Sequence, residues 1–123
     1  MIYLASPYSH PDDRVQEQRY LHVMEVASIL MRQGLPVISP IVHCRPMALR
    51  FGLPHDAKFW EDYGRQLILA CSAVYILLDD GWKTSKGIAV ERKLAQTLKT
   101  PIHYINHTPG DASVTIRSAE DAA

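Results

Sequence analysis

Cysteine is scarce in this chain. Cys44 and Cys71 are the only two in 123 residues. They are too few for a disulfide scaffold and too far apart for a CxxC metal or redox pair, so both are expected to be reduced, buried thiols. An excess of either charge is also missing: thirteen Lys and Arg balance thirteen Asp and Glu. No basic stripe is left to neutralise a run of phosphates, which argues against a nucleic acid polymer as partner. No apolar run approaches the roughly eighteen residues that a membrane span requires. The start, Met1 to Pro7, has neither the basic nor the long apolar region of a secretory leader. The expectation is a cytoplasmic protein with no membrane partner. The length suits one domain that buries roughly two-thirds of the surface its unfolded chain exposes.

Six histidines are present, and His103 and His107 lie four apart, the spacing of two ligands on one helix. Pro101 opens the β-branched and aromatic run Ile102 to Ile105, which predicts a strand and separates the two imidazoles. No metal site and no cofactor are expected.

The pattern alternates strand, helix, strand, helix, strand, helix, strand. Ile2–Ala5 reads as the first strand. Ser9-His10-Pro11-Asp12 then offers a cap, with Ser9 as capping residue, a first-turn proline and an acid at a helix start. In the helix that follows, Tyr20, Val23, Met24, Ala27, Leu30 and Met31 form the expected buried stripe, and Gly34 ends it. Residues 35–42 read as a second strand, and Pro36 and Pro40 place it at a sheet edge. Residues 43–56, with Pro46, Gly52 and Pro54, predict a long loop with one helical turn around Met47 to Arg50. A helix over 57–71, a strand over 74–78, a helix over 87–99 and a strand over 102–105 complete the alternation. Residues 1–107 are read as one α/β nucleotide-binding domain. Residues 108–123 are read as a polar tail, loosely ordered or docked on a neighbouring subunit, with a short extended piece at 114–116.

Successive parallel strands joined by helices make right-handed crossovers. The expected fold is therefore a small doubly wound, flavodoxin- or Rossmann-like parallel sheet of order 2-1-3-4 with helices on both faces. In that order the loops leaving the first and third strands, Ser6-Pro7-Tyr8-Ser9 and Asp80 to Lys86, flank one crevice. Beyond the second loop, Gly87 and Glu91 lie four apart on a helix. Because Cβ bonds tilt toward the N-terminus, the carboxylate leans over the position where Gly87 lacks a side chain. Bland roles exist for each residue: Glu91 as a solvated acid paired with Lys86, Ser9 as a cap, Tyr3 as a strand tyrosine, Trp82 as packing at the core edge.

Tyr3-Leu4-Ala5-Ser6-Pro7-Tyr8, together with Asp80-Gly81-Trp82 and Ser85-Lys86-Gly87 leading to Glu91, resembles the nucleoside 2-deoxyribosyltransferase superfamily over about residues 1–105. The likeness is to its small bacterial and phage members and to the deoxynucleoside monophosphate N-glycosidases. The resemblance implies a nucleophile at Glu91, oriented by the hydroxyl of Tyr3. It also implies a substrate site of Ser6, Pro7, Tyr8, Ser9, Trp82, Ser85, Lys86 and Gly87, and a proton donor at Asp80 or, with a weaker claim, Asp62. Ser85 stands where transferases acting on nucleosides tend to carry an acid, so a nucleotide is favoured over a nucleoside. Ser6 departs from the glycine common in the family's first turn. Near a helix start, Glu91 is expected to stay ionised. Such a carboxylate stabilises or traps the oxocarbenium-like state of glycosidic cleavage. A homodimer or larger assembly is also implied. The competing readings are a catalytically silent nucleotide sensor on the same fold and an NAD-type glycohydrolase. A receiver domain is set aside because the first turn lacks magnesium-binding acids, and a flavin module because no glycine-rich phosphate loop follows the first strand.

Overall fold

The computed structural model describes residues 1–117. It shows a five-stranded sheet of order β2-β1-β3-β4-β5, built from β1 (Ile2–Ala5), α1 (Asp13–Arg32), β2 (Val37–Ile38), α2 (Pro40–Phe51), α3 (Ala57–Leu69), β3 (Ala73–Leu77), α4 (Lys86–Thr97), β4 (Ile102–Asn106) and β5 (Thr115–Arg117). The first four strands are parallel, with Tyr3 opposite Val74 and Ala5 opposite Ile76. The small doubly wound fold and the central pairing of β1 with β3 are as expected from the alternation.

Strand periodicity divides the core between two faces. Tyr3, Ala5, Val74, Ile76 and Tyr104 pack with Ile68 of α3 and Ile88 and Ala95 of α4. Leu4, Leu77 and Ile105 pack with Val23, Val26, Ala27 and Leu30 of α1. Leu4, Ile76, Leu77 and Ile105 are fully buried, and each such side chain stabilises by roughly 1.5–3 kcal/mol relative to exposure. Since α1 leaves β1 toward one face and α4 leaves β3 toward the other, the sheet's switch point lies between two neighbouring strands. Their exit loops leave side by side there, the place where open α/β sheets bind ligands.

Several local expectations give way. The cap of α1 is Asp12, whose side chain accepts from the Arg14 amide, and not Ser9. The buried stripe of α1 is His22, Val23, Val26, Ala27, Ile29 and Leu30. Met31 is exposed, so the face is rotated from the one read off the spacing. The second strand shrinks to Val37–Ile38 because Ser39 and Pro40 start a helix: Ser39 Oγ accepts from the Val42 amide, and proline stands in the first turn, where no amide donor is needed. The loop expected over 43–56 is therefore mostly α2, which accommodates Pro46 and ends at Gly52 with φ +65°. The extended piece of the tail is β5, which pairs antiparallel with β4 of its own chain. The tail expected over 108–123 falls partly outside the described residues.

Candidate active site

Tyr3 stands second in β1 and points to the face covered by α3 and α4, where it is 2% exposed. Glu91 is the sixth residue of α4, half-buried. The Tyr3 hydroxyl donates to Glu91 Oε2 in a short hydrogen bond that joins β1 to α4 across 88 residues of sequence. The other carboxylate oxygen, Oε1, lies 4.0 Å from where a Cβ on Gly87 would stand, and Ser85 Oγ lies 3.9 Å from the same point. Gly87 is exposed. The carboxyl is therefore tied down on one side by a phenol, while its other oxygen lies beside an exposed glycine.

Burial dominates the electrostatics. It pushes Glu91 up to about 7, against the lowering effect of the Tyr3 hydrogen bond. The expectation of a fully ionised carboxylate is thus corrected. The helix dipole fades within the first turn, and at the sixth position it does not offset desolvation. Tyr3 is itself pushed far up, by burial first and then by the neighbouring carboxylate, so it remains a proton donor at any physiological pH.

Ser85 caps α4, its Oγ accepting from the Ile88 amide, which leaves its own O–H free to donate. Lys86 is exposed. Pro7 is fully buried. Ser6 directly follows β1, is 6% exposed, and its Oγ finds no hydrogen-bond partner. A buried unmet hydroxyl costs roughly 1–3 kcal/mol. Tyr8 Oη accepts from Arg45 Nε at 2.9 Å. Ser9 is exposed, and its carbonyl accepts from Arg19 Nη1 at 2.8 Å. Trp82 packs on Tyr104, ring centres 5.8 Å apart, and so covers the core edge. A cavity of about 480 Å³ lies along the loop from Leu78 to Thr84, and neither Tyr3 nor Glu91 lines it.

The two candidate proton donors are not brought to the carboxyl. Asp62 is exposed on α3 and paired with Lys58 at 3.1 Å. Asp80 is exposed, and only its backbone amide is engaged, by Asp79 Oδ1. Asp79 is half-buried instead, because continuing the strand alternation carries it to the α1 face.

Three residues escape the sequence reading. Gly64 looks like a flaw in α3, yet a Cβ there would meet the Tyr3 hydroxyl at 3.4 Å; its pairing with β1 has no trace in local spacing. Arg19 spans both crevice loops, bonded to Ser9 and packed so closely on Gly81 that a Cβ would stand 2.5 Å from its Nη2. Arg45 links Tyr8 to Glu17 at 2.7 Å and lies over the Tyr20 ring at 4.2 Å. It was hidden in a segment read as loop.

A family described as a domain of unknown function matches residues 1–107. The chain belongs to the DUF1937 family. The DUF1937 match takes in all the residues that form the Tyr3–Glu91 pair and both crevice loops, and it stops before β5. No curated protein matches the chain. Among the described residues, no three His, Cys, Asp or Glu side chains gather to hold a metal ion, and no helix is long and apolar enough to cross a membrane.

Proposed function

We propose that the chain cleaves or transfers the N-glycosidic bond of a deoxynucleotide, with Glu91 as nucleophile. The observation that carries this reading is the Glu91 carboxyl held by the Tyr3 hydroxyl and leaning over Gly87. A carboxylate oxygen so placed attacks the anomeric carbon of the sugar while the C–N bonding electrons leave with the base. Water or a second base then displaces the carboxylate. Only the ionised form is nucleophilic, so turnover rises as pH passes through about 7. The Ser85 hydroxyl and the first amides of α4 supply neutral donors suited to a phosphate. The unmet Ser6 hydroxyl supplies a further donor at the end of β1. The nucleotide is therefore preferred to the nucleoside. The proposal includes a homodimer or larger assembly and a cytoplasmic setting.

A second reading, a nucleotide-binding sensor without turnover, draws on Asp62 and Asp80, both exposed and neither hydrogen-bonded to the Glu91 carboxyl. Chromatography of free base released from deoxynucleoside monophosphates, nucleosides and NAD separates the two. The enzyme reading expects base release by the parent, none by Glu91→Ala, and retained ligand binding by Glu91→Gln. Release from no substrate, with equal binding by parent and Glu91→Gln, establishes the sensor. Release from NAD alone assigns a glycohydrolase.

A further inference from the structure

On the α1 face, away from Glu91, three side chains from three elements form one hydrogen-bonded row. Asp79 Oδ2, just past β3, meets His22 Nδ1 of α1 at 3.0 Å. His22 Nε2 meets His107 Nδ1, just past β4, at 2.9 Å. His107 Nε2 meets the carbonyl oxygen of Asp111 at 3.0 Å. The His22 side chain is 7% exposed and that of Asp79 21%, so water does not readily replace the contact between these two.

Counting protons decides the state of the row. Its two ends, a carboxylate and a backbone carbonyl, only accept. Each of the three contacts needs one hydrogen, and every hydrogen must come from an imidazole nitrogen. Two neutral imidazoles carry two such protons. The carbonyl of Asp111 fixes a proton on His107 Nε2, which makes Nδ1 of neutral His107 an acceptor, and His22 must then donate from both of its nitrogens.

We propose that the His22–His107 pair holds three ring protons, and that the third is a latch tying the turn after β4 and the loop after β3 to α1, released as pH rises. Without it, two lone pairs face each other at 2.9 Å and one contact opens. Each end of the row holds an adjacent segment. Asp79 Oδ1 accepts from the Asp80 amide at the start of the loop that lines the cavity, and the Asp79 carbonyl accepts from the Trp82 amide. On the other side, the Gly110 amide donates to the Glu25 carboxylate of α1 at 3.2 Å.

The charges around the row favour the extra proton. Asp79 and Glu25 both raise the affinity of His22, the hydrogen bond from Asp79 most of all, while burial opposes. Burial alone pushes the Asp79 carboxyl up, yet His22 and Arg19 hold it below its usual range. From the β3 side the facing group is Asp79. From α1 they are Arg19 and Glu25, and from the turn after β4, His107 and Asp111.

The test is long-range ¹H–¹⁵N NMR of the full chain from pH 5 to 10. On the acid side of the midpoint both His22 nitrogens are expected to carry protons, one bonded to Asp79 and one to His107. One proton should then leave with a midpoint above the free value of 6.5, and the amide signals of Asp80 and Gly110 should follow that midpoint. His107→Gln keeps an acceptor and a donor in the same order, so His22 stays doubly protonated. Asp79→Asn removes the balancing anion, and the midpoint drops by about one pH unit or more. No third ring proton anywhere down to pH 5 in the parent, or a midpoint that Asp79→Asn leaves unmoved, overturns the latch.

Discussion

Tyr3 donates to Glu91 from a position where burial and the neighbouring carboxylate suppress its own ionisation, so its proton stays with the pair at every physiological pH. A hydrogen bond to a charged group contributes roughly 1.5–3 kcal/mol, which corresponds to about one to two pH units of carboxyl affinity. Tyr3→Phe should therefore raise the Glu91 midpoint above about 7 by about one unit or more, read by ¹³C NMR of the side-chain carboxyl. An unmoved midpoint would show that the phenol does not bond the ionised form. At this scale the sequence was informative wherever two residues share a helix: the lean of Glu91 over Gly87 follows from four-residue spacing and Cβ tilt alone. It was silent on Gly64, where a Cβ would touch a hydroxyl sixty-one residues earlier in the chain. It also misjudged the charge of Glu91, because desolvation depends on what α3 and the sheet bring around the carboxyl.

Among the elements, those bounded by strong local chemistry were legible, and those depending on how a proline is used were not. β1, β3, α4 and β4 fall within one or two residues of their expected bounds. α2 is concealed because Pro40 reads as an edge-strand proline and Pro46 as part of a loop, whereas Ser39 makes Pro40 a helix opener. The swap of Ser9 for Asp12 as the cap of α1 has the same origin: several polar residues in a row can cap, and only the packing of α1 on the sheet selects one. The loop from Asp79 to Ser85 offers a sharper test of local geometry. Gly81 sits at φ +88° with Arg19 pressed against it. Gly81→Ala should cost about 1–2 kcal/mol from the left-handed backbone alone and more as Arg19 is displaced. Urea unfolding measures the loss, and a second substitution, Arg19→Ala, should restore the part due to contact. An alanine variant as stable as the parent would mean that the loop does not hold this conformation.

Across the whole molecule, titration ties the two faces of the sheet to one stability profile. Glu91 has a folded affinity raised from 4.5 to about 7. The folded state is therefore favoured below about 4.5 and loses that contribution as pH climbs to about 7. His22, also raised, contributes stability below 6.5 that is lost as pH rises through its higher folded value. Asp79, lowered, contributes above 3.8 and loses its share only as pH falls through its lower folded value. Stability should peak in mildly acidic solution and decline toward pH 8. Glu91→Gln should raise Tm at pH 8 and leave it nearly unchanged at pH 4.5. A Tm that climbs from pH 5 to pH 8 in the parent contradicts these assignments. The three-layer architecture itself was readable, because hydrophobic period and crossover handedness leave few alternatives. The division of labour between its faces was not, because nothing in the sequence marks His22, Asp79 and His107 as neighbours. The proposed nucleophile is tested most directly by mass spectrometry of the protein acid-quenched during incubation with a deoxynucleoside monophosphate. With Glu91 as nucleophile, a deoxyribosyl adduct is expected on the peptide carrying Glu91, absent in Glu91→Gln. Base release with no adduct, continuing at the parental rate in Glu91→Gln, would contradict that role.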